Sequence, residues 1–106
     1  FNTFIEQITK NSIFISYEKK HLDFCILLKY KLEENGFLVY FLKKDSNSIN
    51  INQLRSNIDK SSVILVCLSQ EYEKCNFCRS EFEYSELFKK KFIFSNLETS
   101  FEPKYW

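Results

Sequence analysis

Apolar positions along the chain switch between two spacings, and each switch marks an element. Residues 12–17 (Ser-Ile-Phe-Ile-Ser-Tyr) form a short β-branched and aromatic run that predicts a buried strand. Phe24, Cys25, Leu28 and Leu32 then recur at helical spacing among Lys29, Lys31, Glu33 and Glu34, and Asn35-Gly36 closes that amphipathic helix. Residues 37–42 predict a second strand, followed by a polar loop. Asn50 with Gln53 resembles a capping box ahead of an apolar stripe of Ile51, Leu54 and Ile58. Residues 63–68 are the most hydrophobic strand, expected to be buried on both faces. A polar stretch, 69–76, leads to a third helix over about 78–90, with Cys78, Phe82 and Ser85 on one face and Glu81 and Phe88 alongside. Residues 92–96 predict a fourth strand, and 99–106 a tail holding the only proline, Pro103.

Strands alternating with helices across short connections predict parallel β-α-β units. Right-handed crossovers then give an α/β architecture, an open doubly wound parallel sheet with helices on both faces. Such sheets bind ligands beyond the carboxyl ends of the strands, where the strand order reverses. For an order of the 2-1-3-4 type, that crevice lies between the first and third strands. Residues 17–21 and 69–78 form the loops facing it.

Composition narrows the function classes. The chain has 106 residues, 15 Lys+Arg against 14 Asp+Glu, and a formal net charge of +1. That is one domain's length, with too weak a field to bind nucleic acid by bulk charge. Apolar runs fall far short of the roughly 20 residues a membrane helix needs, so no direct membrane contact is expected. The chain opens at Phe1 without an initiator Met and is expected to be an excerpt of a longer protein. Cys25 and Cys67 lie inside apolar runs, where thiols behave as small hydrophobes, and a reducing, cytoplasmic setting is expected.

The single glycine, Gly36, excludes both a glycine-rich dinucleotide fingerprint and a P-loop. Cys75-Asn76-Phe77-Cys78 is a CxxC ahead of a helix, readable as a redox dithiol, a half zinc site or incidental thiols. A dithiol enzyme wants a cis-proline loop opposite, and zinc wants a second ligand pair; neither has a source here, so incidental thiols are favoured and no metal is expected. His21, the only histidine, reads as a mostly exposed helix-start residue. The Lys89-Lys90-Lys91 run reads as a helix end. Glu81 is the most informative carboxylate. It is expected in the first turn of the third helix, bordering the interior and opening toward the crevice. The alternative is a helix-dipole glutamate or a partner of Arg79.

Four blocks of sequence resemble the Toll/interleukin-1 receptor (TIR) domain, animal-type. They are Ser12-Ile13-Phe14-Ile15-Ser16-Tyr17; Glu34-Asn35-Gly36-Phe37; residues 58–69; and Tyr72 with Phe77-Cys78-Arg79-Ser80-Glu81. They span about residues 11–98 of a single domain assigned to 1–106. The resemblance implies a flavodoxin-like fold and signal transduction, innate immunity included. Phe101 to Trp106 resembles the segment before the last strand, so the final strand and helix are expected to be missing. It also implies two functional classes. One is an adaptor that assembles with other TIR domains as a homo-oligomer, through the loop Lys43-Lys44-Asp45-Ser46-Asn47-Ser48. The other hydrolyses NAD as a substrate rather than a cofactor, releasing nicotinamide and ADP-ribose products, with Glu81 catalytic. In that class Ser16, Tyr17, Glu18, Tyr40, Phe77 and Cys78 would contact the substrate. Cleavage puts positive charge on the ribose, which a nearby carboxylate stabilises, and pyridinium nicotinamide leaves without a general acid. The loop 43–48 lacks the family's frequent Gly or Pro, while Leu42 and Tyr40 replace a common acid and a common Trp.

Overall fold

A computed structural model describes residues 12–42 and 50–97. The expected assembly loop 43–48 and the tail 99–106 lie outside the described residues. The elements run β1 (Ser12–Ser16), a 3-10 turn (Lys19–His21), α1 (Leu22–Glu34), β2 (Leu38–Tyr40), α2 (Ile51–Lys60), β3 (Val63–Leu68), α3 (Gln70–Lys74), α4 (Asn76–Leu87) and β4 (Lys91–Asn96). The described strands form one parallel sheet in the order β2-β1-β3-β4, the expected order. The chain therefore reverses its direction of travel between β1 and β3, and both strands end at that point.

Two apolar clusters sandwich the sheet. Leu54 and Ile58 of α2 and Cys78 of α4 pack on Phe14, Ile64 and Val66 on one face. Cys25 of α1 packs with Ile13, Ile15, Val39 and Cys67 on the other. The alternation along β1 sends its side chains to both clusters, and all five of its residues are buried. In β3, Val63 and Leu65 are only half-buried, so its burial is complete only toward its carboxyl end.

The carboxyl ends of α1 and α4 follow from local chemistry. Gly36 at φ +89 lets its N–H reach Glu33 O at 3.1 Å and the Phe37 N–H reach Leu32 O at 3.1 Å. That double bond is a Schellman cap, the stop signal Asn35-Gly36 predicts. The same motif ends α4, with Lys89 N on Glu86 O at 3.0 Å and Lys90 N on Ser85 O at 3.1 Å. Here a lysine, Lys89 at φ 56, occupies the left-handed position. Lys90 turns its ammonium onto the end of α2, donating to Asp59 O at 3.0 Å and Ser61 O at 2.8 Å. The lysine run thus ends one helix and caps another.

The differences from expectation lie at element boundaries. β2 is three residues, and Phe37 is left out of it because its N–H goes to the α1 cap. The polar stretch 69–76 contains α3, which the hydrophobic pattern does not reveal because a five-residue helix presents a single apolar residue, Tyr72, to the core. Helix α4 starts at Asn76 rather than 78, with the Cys75 sulfur accepting the Cys78 N–H at its N-cap. It ends at Leu87, leaving Phe88 half-exposed against Tyr84 instead of on the core face. Phe24 of α1 is likewise nearly half exposed; Cys25 anchors that helix.

Candidate site at the strand-order reversal

Because α4 starts two residues earlier than expected, Glu81 falls in the helix's second turn rather than its first, and it lies on the buried side with Cys78 and Ser85. Its solvent exposure is 0 %. Ser16, the last residue of β1, donates from Oγ to Glu81 Oε1 at 2.9 Å. Ser16 Oγ also lies 2.7 Å from the Tyr72 hydroxyl. A serine has one hydroxyl proton; with that proton on Glu81, the short contact runs from Tyr72 as donor to Ser16 as acceptor. The result is a buried relay, Tyr72 to Ser16 to Glu81, linking α3, β1 and α4. Tyr72 reaches Cys78 O as well, at 3.4 Å.

Each member is placed by a local rule. Ser69 caps α3 by accepting the Tyr72 N–H at 3.0 Å, which fixes the short helix and turns the tyrosine inward. The Cys75 cap does the same for α4. Desolvation by burial pushes the Tyr72 phenol far above its ordinary value; the Ser16 hydrogen bond works against that shift and the Glu81 charge reinforces it. A carboxyl group in such a place depends on its hydrogen bonds, because moving a charge out of water is costly.

The sequence-predicted residues divide into two sets. Ser16, Tyr17, Cys78 and Glu81 come together at the carboxyl end of β1. Tyr17 is fully buried, its hydroxyl donating to Leu42 O at 2.6 Å and its ring tilted against Phe41 at 5.8 Å. The Cys78 thiol donates to Tyr17 O at 3.3 Å. Glu18 instead caps the 3-10 turn through the Lys20 N–H at 2.8 Å. Tyr40 and Phe77 are half-buried, packed on the cluster of α2 and α4. Tyr72 has no place among the residues the sequence singles out for chemistry, although its hydroxyl completes the relay; the Ser69 cap signal immediately after β3 would have located it.

Two alternatives are settled by distance. Arg79 pairs with Glu83 on the exposed side of α4 at 3.0 Å, so Glu81 is not its partner. His21 is half-buried rather than mostly exposed, with Nε2 3.7 Å from Glu71 Oε2, while Lys20 holds Glu71 Oε1 at 2.6 Å. An apolar cavity of about 310 Å³ lies elsewhere, between α1 and the sheet, lined by Ser12, Ile13, Leu32, Phe37, Val63, Leu65 and Ile93. Ser12 and Val63 begin their strands, so this cavity is at the opposite end of the sheet from Glu81.

The family model of the TIR domain matches residues 13–104. The chain belongs to the TIR domain family. Among solved structures, this TIR domain is similar to the TIR domain of the Toll-related Receptor TRR-2 from the lower metazoan Hydra magnipapillata. The TM-score is 0.72 at 20 % identity, over 86 % of this chain and 74 % of that one. The likeness establishes the flavodoxin-like fold. No curated protein matches the sequence. TIR domains signal through contacts with other TIR domains, and that is the class of function this chain carries. Among the described residues no helix is long and apolar enough to cross a membrane.

Proposed function

We propose that this TIR domain signals by homotypic assembly, with Glu81 acting as a buried strut rather than as a catalyst. One observation carries the reading: Glu81 has 0 % exposure and accepts the Ser16 hydroxyl, so no substrate ribose reaches it in this conformation. Its carboxylate ties α4 to β1, the joint on which the carboxyl-end loops rest. Apolar side chains meanwhile stand outward on α1 and β4. Leu27 and Tyr30 of α1 and Ile93 of β4 are each more than half exposed, which suits protein contact.

The test is association of the purified domain against concentration, by light scattering. Assembly that survives Glu81→Gln, an isosteric change that keeps the Ser16 contact, supports the strut reading. A monomer at all concentrations, even when tethered densely on vesicles, would remove it.

The place of Glu81 favours a second reading, NAD hydrolysis. The carboxylate sits at the strand-order reversal, where doubly wound sheets take their ligands. In that reading assembly would draw Ser16 and Tyr17 aside, uncover Glu81, and leave it to stabilise the ribosyl cation as nicotinamide departs. Tyr17 and Phe77 would then flank a ring of the substrate.

A further inference from the structure

Cys75 and Cys78 occupy the N-cap and third position of α4, and both are free thiols. The Cys75 sulfur faces its partner residue directly, accepting the Cys78 N–H at 3.2 Å. Residues three apart at a helix start lie about 5–6 Å apart at Cβ, and a disulfide needs about 3.5–4.5 Å, so closure takes an adjustment of the first helical turn, the part that most readily moves. The two differ in access. Cys75 is half-buried and open to a small oxidant, while Cys78 is fully buried behind it. Cys25 and Cys67 are buried in the cluster beneath α1.

We infer that Cys75 and Cys78 form a reversible intrachain disulfide under peroxide, and that closing it loosens the joint between β1 and α4. Peroxide first oxidises the Cys75 sulfur to a sulfenic acid, breaking its O–O bond and releasing one water. The Cys78 sulfur then attacks the Cys75 sulfur; the S–S bond forms, the S–O bond breaks, and the hydroxyl leaves with the Cys78 proton as a second water. Two thiols lose two electrons and hydrogen peroxide gains them. A dithiol reductant reverses the change.

The coupling follows from what Cys78 holds. Its thiol donates to Tyr17 O at 3.3 Å, and its carbonyl lies 3.4 Å from the Tyr72 hydroxyl. Turning Cys78 Sγ toward Cys75 removes the only proton that sulfur has to give Tyr17. Tyr17 in turn holds Leu42 O, and the neighbouring Ser16 holds Glu81. Oxidation at the helix start is thereby transmitted to the group at the sheet's reversal point, whichever reading of Glu81 applies.

Trypsin cuts after Lys74 and Arg79, so one peptide, 75–79, carries both sulfurs. The purified protein is treated with hydrogen peroxide, alkylated and digested. The expected product is that peptide unalkylated and lighter by two hydrogens, restored by dithiothreitol. Amide exchange over residues 13–18 should be about tenfold faster in the oxidised protein. Cys75→Ser keeps a capping oxygen for α4 and should retain slow exchange under peroxide. Sulfinic acid at Cys75 without a disulfide, pairing through Cys25 or Cys67, or a disulfide that leaves exchange unchanged would each overturn the inference.

Discussion

The hydroxyl of Ser16 and the carboxylate of Glu81 meet at 2.9 Å although 65 positions separate them in the chain. This one contact fastens the end of β1 to the second turn of α4. Replacing Ser16 by Ala removes the hydrogen bond to the buried Glu81 carboxyl group and the shorter of two contacts made by the Tyr72 hydroxyl. The expected loss is about 1.5–3 kcal/mol of unfolding free energy, read from urea denaturation.

Tyr72→Phe should cost less at neutral pH, about 1 kcal/mol, since it deletes a neutral hydroxyl and keeps the ring. Its effect should shrink in alkali. Burial keeps the folded phenol protonated far above its ordinary value, while the unfolded tyrosine ionises near pH 10. Above that pH the unfolded state binds fewer protons, so stability falls as pH rises, by up to about 1.4 kcal/mol per pH unit for this group. Below it the contribution is fully present. Urea midpoints at pH 9 and pH 11 should therefore drop more for the unsubstituted protein than for Tyr72→Phe.

Lys89 holds the left-handed position of a Schellman cap, a conformation that costs a residue with a Cβ about 1–2 kcal/mol. Lys89→Gly should raise the melting temperature, with a gain near 1 kcal/mol. Gly36→Ala, at the matching position of α1, should lower stability by a similar amount, through backbone strain alone because nothing lies within 4 Å of the added Cβ.

Asn50 accepts the Gln53 N–H at 3.0 Å and starts α2. Asn50→Ala should cost about 1 kcal/mol, with a matching loss of helical signal in thermal melts. The apolar stripe of Leu54 and Ile58 would still dock the helix.

What could be read from the residues alone followed from repeating, local rules. Alternating spacings located four strands, and Gly36 and Asn50 announced their helix ends because each acts on backbone groups a few positions away. The parallel order came from crossover handedness, not from any one residue. Helix α3 escaped because its identity rests on a single Ser69 cap and a single buried side chain. The depth of Glu81 escaped for a related reason. Its turn depends on where α4 begins, and that depends on a cysteine sulfur acting as a cap, a weak acceptor for which helix-start patterns carry little signal. The tie to Ser16 is long-range and has no footprint in spacing.

Nicotinamide release tests the role of Glu81 most directly. The domain is tethered densely on vesicles, supplied with NAD, and compared with Glu81→Gln. A buried strut predicts no release above that of the variant. Release that the clustered protein sustains and Glu81→Gln abolishes would contradict the strut and make residue 81 the catalyst.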